Sequence, residues 1–194
     1  MAKAACVIGS SGGIGAAVTR RLRLARQSVP RLDVPVVAAG IDLGKLAELS
    51  VAQWNHVLAV NLTGPFLCCK LARDWLVDGG RIVLLGSLAG RTGGVLTGTA
   101  YAVSKGGIES LTKSVAQELA PRCITVNCVA PGGVDTPLLA RSSPESLAAM
   151  TAATPLKRMA APDEIAAAVS YLAGDGAAFV TGAVLPVNGG LRMD

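Results

Sequence analysis

A glycine-rich turn follows the first apolar segment of this 194-residue chain and limits the fold more than any other feature. Residues 4–8 have the composition of a short buried strand, residues 9–15 read Gly-Ser-Ser-Gly-Gly-Ile-Gly, and a helical pattern extends over residues 14–26. Glycines between a strand and a helix let the backbone approach a pyrophosphate, which the amides at the helix start can bind. The turn therefore predicts an α/β protein with a dinucleotide site, and a turn without a ligand is the alternative.

Further apolar runs alternate with helical patterns along the rest of the chain, as in proteins built on a parallel sheet. With 51% hydrophobic residues and 23 glycines, the composition suits buried parallel strands, and we expect a single domain over residues 1–194. The predicted strands are residues 31–40, 80–87, 122–130 and 179–187, and the predicted helices are residues 50–76 with a kink at Gly64-Pro65, 99–119, 142–153 and 162–173.

The helix predicted over residues 99–119 carries a tyrosine and a lysine on one face. Tyr101 and Lys105 are four residues apart, which brings the phenol and the ammonium together. A phenol normally loses its proton near pH 10, and a neighbouring cation favours the phenolate. The pair predicts a tyrosine that acts as acid or base, with a half-buried tyrosine and a solvated lysine as the alternative.

Ser87 ends the strand predicted over residues 80–87. Open parallel sheets carry their sites at the carboxyl ends of the strands, where this hydroxyl would lie. We therefore group Ser87 with the phenol of Tyr101 and the ammonium of Lys105 as a candidate catalytic set.

Charge, cysteine and histidine usage exclude several other classes. The net charge is +5, but the basic residues are dispersed, and no aromatic residue interleaves with the densest cluster at residues 20–26, so we expect no nucleic-acid partner. The five cysteines lack paired ligand spacing and are interpreted as small buried hydrophobic residues. His56 is the one histidine and lies in a helical pattern, so we predict no metal site.

The first residues pass directly into a strand without a charged and then apolar leader, and no apolar run reaches the length of a membrane span. We therefore expect a soluble, cytoplasmic protein that does not bind a membrane.

Six motifs, in their order and spacing, resemble those of the short-chain dehydrogenase/reductase family, and its 3-oxoacyl-carrier-protein reductases in particular. They are residues 9–15, residues 60–64, Ser87, the pair Tyr101 and Lys105, residues 131–136 and residues 188–190. The resemblance implies an oxidoreductase that interconverts a ketone and a secondary alcohol by hydride transfer from or to NAD or NADP. It also implies a small carbonyl or alcohol substrate and a homodimer or homotetramer.

The resemblance assigns a role to each site residue. Tyr101 would be the acid or base, Lys105 would lower the pKa of Tyr101 and hold the nicotinamide ribose, Ser87 would bind the carbonyl oxygen, and Asn61 would hold a water in the proton relay. Val134 and Thr136 would contact the nicotinamide carboxamide. The full set of cofactor-binding residues implied is Gly9, Ser11, Gly13, Ile14, Gly15, Ala39, Gly40, Tyr101, Lys105, Pro131, Gly132, Val134 and Thr136.

The chain is shorter than the family between its first helix and the strand at residues 31–40. One strand-helix-strand unit of about 40 to 50 residues is missing. In the family the two missing strands form one edge of the sheet, so we expect a Rossmann-like doubly wound parallel sheet that lacks its second and third strands at that edge. The residue that separates NAD from NADP normally ends the second strand, so the two cofactors cannot be distinguished here.

Two further differences from the family favour an alternative function. A right-handed crossover from the first strand to its other neighbour would move the first helix to the opposite face, so either the helix changes face or the connection is left-handed. Val37 and Ala38 stand where the family has two asparagines. The alternative is a catalytically silent relative with impaired cofactor binding that acts as an interaction or structural subunit.

Overall fold

Five strands of the chain run parallel in one sheet, in the order β1-β2-β3-β4-β5. The computed structural model describes residues 5–23, 33–94 and 96–193. This arrangement confirms the predicted Rossmann-like α/β fold, and it places β1 at one edge beside β2, as expected for a sheet without the missing unit. The strands are β1 (Ala5–Ile8), β2 (Val34–Val37), β3 (Arg81–Leu85), β4 (Thr125–Pro131) and β5 (Val184–Val187).

Helices connect the strands, and most begin and end at residues that the sequence marks. Ser50 caps α2 through a capping box with Gln53, Ser143 caps α6, and Pro162 begins α7. The helices are α1 (Gly13–Arg23), α2 (Val51–Leu58), α3 (Gly64–Trp75), α4 (Ala89–Thr92), α5 (Thr99–Leu119), α6 (Pro144–Ala153) and α7 (Pro162–Ala173).

Two apolar cores cover the two faces of the sheet. Successive side chains of a strand point to opposite faces, so Val83 and Leu85 enter one core and Ile82 and Leu84 enter the other. The first core packs against α1 and α7, and the second against α3 and α5. Burial on both faces explains why β2, β3 and β4 are apolar along most of their length.

The connection through α1 differs in hand from the connection through α5. The chain crosses the sheet in one direction from β1 to β5, so connections on opposite faces have opposite hands. α5 joins β3 to β4 on the second core, whereas α1 joins β1 to β2 on the first core and packs against α7. The connections through α1 and α5 therefore have opposite hands.

Several element boundaries differ from the predictions for identifiable reasons. The break in the helix predicted over residues 50–76 is a π-helical turn at Ala59–Thr63, just before Gly64-Pro65. The strand predicted over residues 179–187 is extended only from Val184, because Gly182 has a φ of +71° and turns the chain. Part of the helix predicted over residues 14–26 and the start of the strand predicted over residues 31–40 lie outside the described residues.

The prediction that the cysteines are buried is right for only some of them. Cys69 and Cys128 are buried, Cys68 is partly buried, and burial raises the pKa of both buried thiols to about 12. Cys6 and Cys123 are exposed, so the prediction is wrong for these two. Cys6 lies on the edge strand β1, and Cys123 lies in a turn with a φ of 54°. Of the helices described, none combines the length and apolar character that crossing a bilayer demands.

Candidate functional site

Ser87, Tyr101 and Lys105 line one cleft of about 760 Å³ at the carboxyl edge of the sheet. Ser87 follows β3, while the other two project from the start of α5. Because the carboxyl ends of parallel strands meet at one edge, residues from distant parts of the chain converge there. Six residues predicted to bind a cofactor line the same cleft: Ile14, Gly40, Pro131, Gly132, Val134 and Thr136.

The hydroxyl of Ser87 lies between the backbone and the phenol of Tyr101. Ser87 Oγ accepts a hydrogen bond from the amide of Ala89 at 3.2 Å. A hydrogen bond between Ser87 and Tyr101 lowers the pKa of the phenol. The Ser87 hydroxyl therefore lies next to the phenol that is predicted to transfer a proton.

Tyr101 is buried, and its pKa lies above its ordinary value. Desolvation by burial is the largest cause, the hydrogen bond with Ser87 opposes it, and the negative charge of Asp42 adds to it. Lys105 Nζ lies 5.6 Å from the centre of the Tyr101 ring. In the protein alone, burial outweighs the hydrogen bond with Ser87 that favours the phenolate, and the lowering of the Tyr101 pKa by Lys105 stays a prediction.

Lys105 is buried beside the tyrosine, and its ammonium is held by the backbone. Lys105 Nζ donates a hydrogen bond to the carbonyl of Leu85, the last residue of β3, at 2.7 Å. Burial lowers the pKa of Lys105 from 10.5 to about 8, against a smaller opposite effect of Cys128. Lys105 is 4% exposed, so its protonation depends on the surrounding protein groups and on any molecule that enters the cleft.

Replacing Lys105 by methionine should reveal this low pKa as a pH-dependent stability. Between about pH 8 and pH 10.5 the unfolded lysine binds a proton that the folded lysine has lost, so the free energy of unfolding rises with pH. Chemical denaturation should therefore favour the parent over Lys105→Met by about 2 kcal/mol more at pH 9.5 than at pH 7. A difference that does not change with pH would contradict the burial of a titrating lysine.

Asn61 is fully buried in the π-helical turn and does not line the cleft. Its Nδ2 donates to the carbonyl of Ile41 at 2.8 Å and to Ser104 Oγ at 3.1 Å, and its Oδ1 accepts from the amide of Ile41 at 2.9 Å. A Cβ on Gly40 would lie 3.6 Å from Lys105 Nζ and 3.7 Å from Asn61 Oδ1. Asn61 thus joins the chain after β2 to α5, next to the lysine.

The glycine-rich turn is so tightly packed that a side chain on any of three of its glycines would require neighbouring atoms to move. Gly9 has a φ of +85°, and a Cβ there would lie 2.5 Å from the amide nitrogen of Ala39. A Cβ on Gly15 would lie 2.0 Å from the carbonyl oxygen of Gly9, and one on Gly13 would lie 2.8 Å from Thr136 Cγ2. The turn therefore packs against itself, against the residues after β2 and against Thr136.

The residues present fit a nicotinamide dinucleotide. The first amides of α1 lack partners within the helix and follow a turn without bulky side chains, as a pyrophosphate site requires. Ile14 and Thr136 line the cleft between this turn and Lys105. Five residues predicted to bind the cofactor, namely Gly9, Ser11, Gly13, Gly15 and Ala39, do not line the cleft itself but form the turn and the chain packed against it.

Asp42 lines the cleft and was missed by the sequence analysis. Its position two residues after the strand predicted over residues 31–40 could have identified it as a site residue, because the carboxyl ends of parallel strands carry such residues. Residues of α6, among them Ser146 and Met150, also line the cleft, as does Leu191 near the end of the chain. Within the described ranges, no group of three His, Cys, Asp or Glu side chains is placed to hold a metal ion.

Comparison with known sequences identifies relatives along most of the chain. Residues 14–192 match the family described as enoyl-(acyl carrier protein) reductase. The cis-4-hydroxycyclohexanecarboxylate dehydrogenase of Sinomonas cyclohexanicum is 43% identical over 82% of this chain and 65% of that protein. The 3-oxoacyl-[acyl-carrier-protein] reductase of Aquifex aeolicus is 40% identical over 84% of this chain and 66% of that protein. The chain thus spans about two thirds of the length of these curated relatives.

Solved structures show the same architecture. A dehydrogenase/reductase from Sinorhizobium meliloti superposes with a TM-score of 0.92 at 31% identity, and the match covers 98% of this chain and 95% of that one. A 3-oxoacyl-[acyl-carrier protein] reductase from Brucella melitensis gives a TM-score of 0.88 at 27% identity and covers 99% of this chain and 92% of that one.

Proposed function

The chain belongs to the short-chain dehydrogenase/reductase family, and we propose that it is an NAD(P)-dependent oxidoreductase that interconverts a ketone and a secondary alcohol. One observation carries the proposal. The hydroxyl of Ser87, the phenol of Tyr101 and the ammonium of Lys105 line a single cleft, together with Ile14 from the start of α1. A substrate oxygen and a cofactor bound there would meet the same three polar groups.

In the proposed reaction, the bound cofactor supplies or accepts the hydride. Tyr101 donates its phenolic proton to the substrate oxygen during reduction and takes that proton back during oxidation. The raised pKa of Tyr101 keeps the phenol protonated at neutral pH, which suits the acid role in reduction. Because Ser87 Oγ accepts its backbone hydrogen bond from Ala89, its own O–H is available to donate to the oxygen as negative charge develops.

Lys105 and Asn61 support the proton transfer. With a pKa of about 8, Lys105 is mainly protonated at neutral pH and can exchange its proton near the tyrosine. Asn61 fixes the backbone at Ile41 beside this ammonium, and in the proposal it holds the water of a relay that leads to Lys105. Gly9, Ser11, Gly13, Ile14, Gly15, Ala39, Gly40, Pro131, Gly132, Val134 and Thr136 would form the cofactor site with Tyr101 and Lys105.

The direct test is cofactor consumption with a panel of carbonyl compounds. NADH and NADPH would each be mixed with cyclic ketones, linear ketones and 3-oxoacyl thioesters, and the absorbance of the reduced nicotinamide followed. We expect turnover with at least one pair, and Ser87→Ala should lower kcat for that pair by about 10²-fold. Ser110→Ala, on an exposed position of α5, is the matched control and should keep the parent rate.

A second candidate is a catalytically silent subunit, and the structure of the sheet favours it. β1 is the edge strand of the described sheet, and the sequence between α1 and β2 is too short for the unit that would carry the adenosine side in the family. Failure to bind NADH or NADPH at millimolar concentration, together with no turnover of any panel compound, would support the silent subunit. Turnover that is lost in Ser87→Ala would exclude it.

We also propose that the chain forms a homodimer or homotetramer through α3. Leu67, Leu71 and Trp75 follow one another at four-residue spacing, are exposed by 49%, 62% and 72%, and lie beside the exposed Phe66. Light scattering should therefore show an oligomer for the parent and a smaller species for Leu71→Glu. Val51→Glu introduces the same charge at the exposed start of α2 and should not change the mass. A monomeric parent would contradict this proposal.

A further inference from the structure

Two charged side chains after β2 hold the loop that begins the catalytic helix. Both carboxylate oxygens of Asp42 accept the amide hydrogen of Gly98, at 3.0 Å and 2.9 Å. Lys45 Nζ donates to the carbonyls of Gly94 and Thr97, at 3.2 Å and 2.9 Å. These contacts join segments about fifty residues apart in the chain, so they depend on the folded state rather than on local sequence.

Asp42 takes the place of a capping side chain for α5. Gly98 is the N-cap residue of α5 and has no side chain, and the first turn of the helix contains no acidic residue. A carboxylate at this end is favourable because the helix dipole is positive there. A Cβ on Gly98 would lie 2.1 Å from the carbonyl oxygen of Gly44 and 2.5 Å from Asp42 Oδ1, so the fit allows only glycine. Tyr101 follows three residues later, within the turn that Asp42 holds.

The charge of Asp42 also acts on the phenol directly. Asp42 lines the cleft beside Tyr101, and its negative charge contributes to the raised pKa of the phenol. The other polar groups that face Tyr101 are Ser87 after β3 and Lys105 on α5. Arg91 on α4 and Glu109 on α5 form an ion pair at 2.9 Å, so their opposite charges largely cancel. Among these groups, Asp42 is the one whose negative charge raises the pKa of the phenol.

We propose that Asp42 is a positioning residue that holds the start of α5 through Gly98 and places a negative charge in the same cleft as the Tyr101 phenol. The inference rests on the proposed function of Tyr101 as the proton donor. It adds a pH dependence to that function: because the carboxylate favours the acid form of the tyrosine, the rate of alcohol oxidation should rise at a higher pH with Asp42 than without it.

The protonation of Tyr101 can be measured without turnover by phenolate absorbance. The sequence contains two tyrosines, so only one other tyrosine has to be removed. Tyr171→Phe removes the exposed second tyrosine, so the phenolate absorbance of this background reports Tyr101 alone. A rapid pH jump allows the reading before the protein unfolds. Asp42→Asn in this background removes the charge while keeping an acceptor for Gly98, and the midpoint of the titration should move to lower pH.

Lys45→Met is the matched variant, since it removes the hydrogen bonds from Lys45 to Gly94 and Thr97 but leaves the carboxylate. Its titration midpoint should stay at the value of the Tyr171→Phe background. If Asp42→Asn does not fold, Asp42→Ser provides a second test, because its hydroxyl can also accept from Gly98. A midpoint that is the same with and without the Asp42 charge would overturn the inference.

Kinetics then separate this inference from the proposed function. With a turned-over alcohol, the rise of kcat/KM with pH should shift to lower pH in Asp42→Asn, in parallel with the absorbance titration. Asp42→Ala should in addition lower kcat by about tenfold or more, because the start of α5 loses its tether and the phenol its position. A shifted titration in a protein that turns over nothing would refute the proposed function and support the charge effect. Turnover with an unshifted titration would support the proposed function and refute the charge effect.

Discussion

Tyr101→Phe is expected to lower kcat by about 10³-fold in both reaction directions. The substitution removes one oxygen and keeps the ring, which packs with Ala89 and Ala102 in a small apolar cluster. Because the ring keeps its place in this cluster, the fold should tolerate the change while the proton donor is lost. Steady-state rates in the two directions, with the cofactor and substrate found by the panel, measure the effect.

The control for this variant is the other tyrosine. Tyr171 is half exposed on α7 and does not line the cleft, so Tyr171→Phe should keep the parent kcat. Circular dichroism should show the same fold for both variants. Full turnover by Tyr101→Phe with a substrate that the parent accepts would remove the tyrosine from the proton transfer.

Gly15→Ala should produce the second large effect, a loss of cofactor affinity on the order of 10²-fold. The added methyl group would lie 2.0 Å from the carbonyl oxygen of Gly9, so the turn before α1 must open. Opening would displace the amides that are proposed to bind the pyrophosphate, and the loss of about two charge-assisted hydrogen bonds corresponds to this change in affinity.

Gly12→Ala is the matched variant in the same turn. A Cβ on Gly12 would lie 3.6 Å from the carbonyl oxygen of Gly9, which is an ordinary contact, and its φ is not in the left-handed region. Calorimetric titration with NADH and NADPH should therefore show near-parent affinity for Gly12→Ala and weak or absent binding for Gly15→Ala. Equal affinities for the two variants would indicate that the turn does not form the pyrophosphate site.

Much of the fold could be predicted because its signals are local. The bounds of α5, residues 99–119, follow from helical spacing between Gly98 and Pro121, and α7 follows from Pro162. The capping of α2 by Ser50 is likewise a short-range pattern. The order of the sheet was predicted from the family resemblance together with the missing unit, and the structure agrees.

The features that were missed depend on contacts between distant segments. Asp42 meets Gly98 across 56 residues, and no pattern around either residue indicates that they touch. The pKa of Tyr101 was predicted to fall because its spacing from Lys105 is visible in the sequence, whereas the burial that raises it is a property of the assembled cleft. The exposure of Cys6 has the same origin, since it follows from the position of β1 at the edge of the sheet.

Transfer of a labelled hydride tests the central claim most directly. NADH or NADPH carrying deuterium at the reactive carbon would be incubated with the protein and each ketone of the panel, and the alcohol analysed by mass spectrometry. We expect an alcohol that carries one deuterium on its carbinol carbon, formed by the parent and lost with Tyr101→Phe. A folded parent protein that forms no labelled alcohol from any ketone, at saturating concentrations of either cofactor, would contradict it.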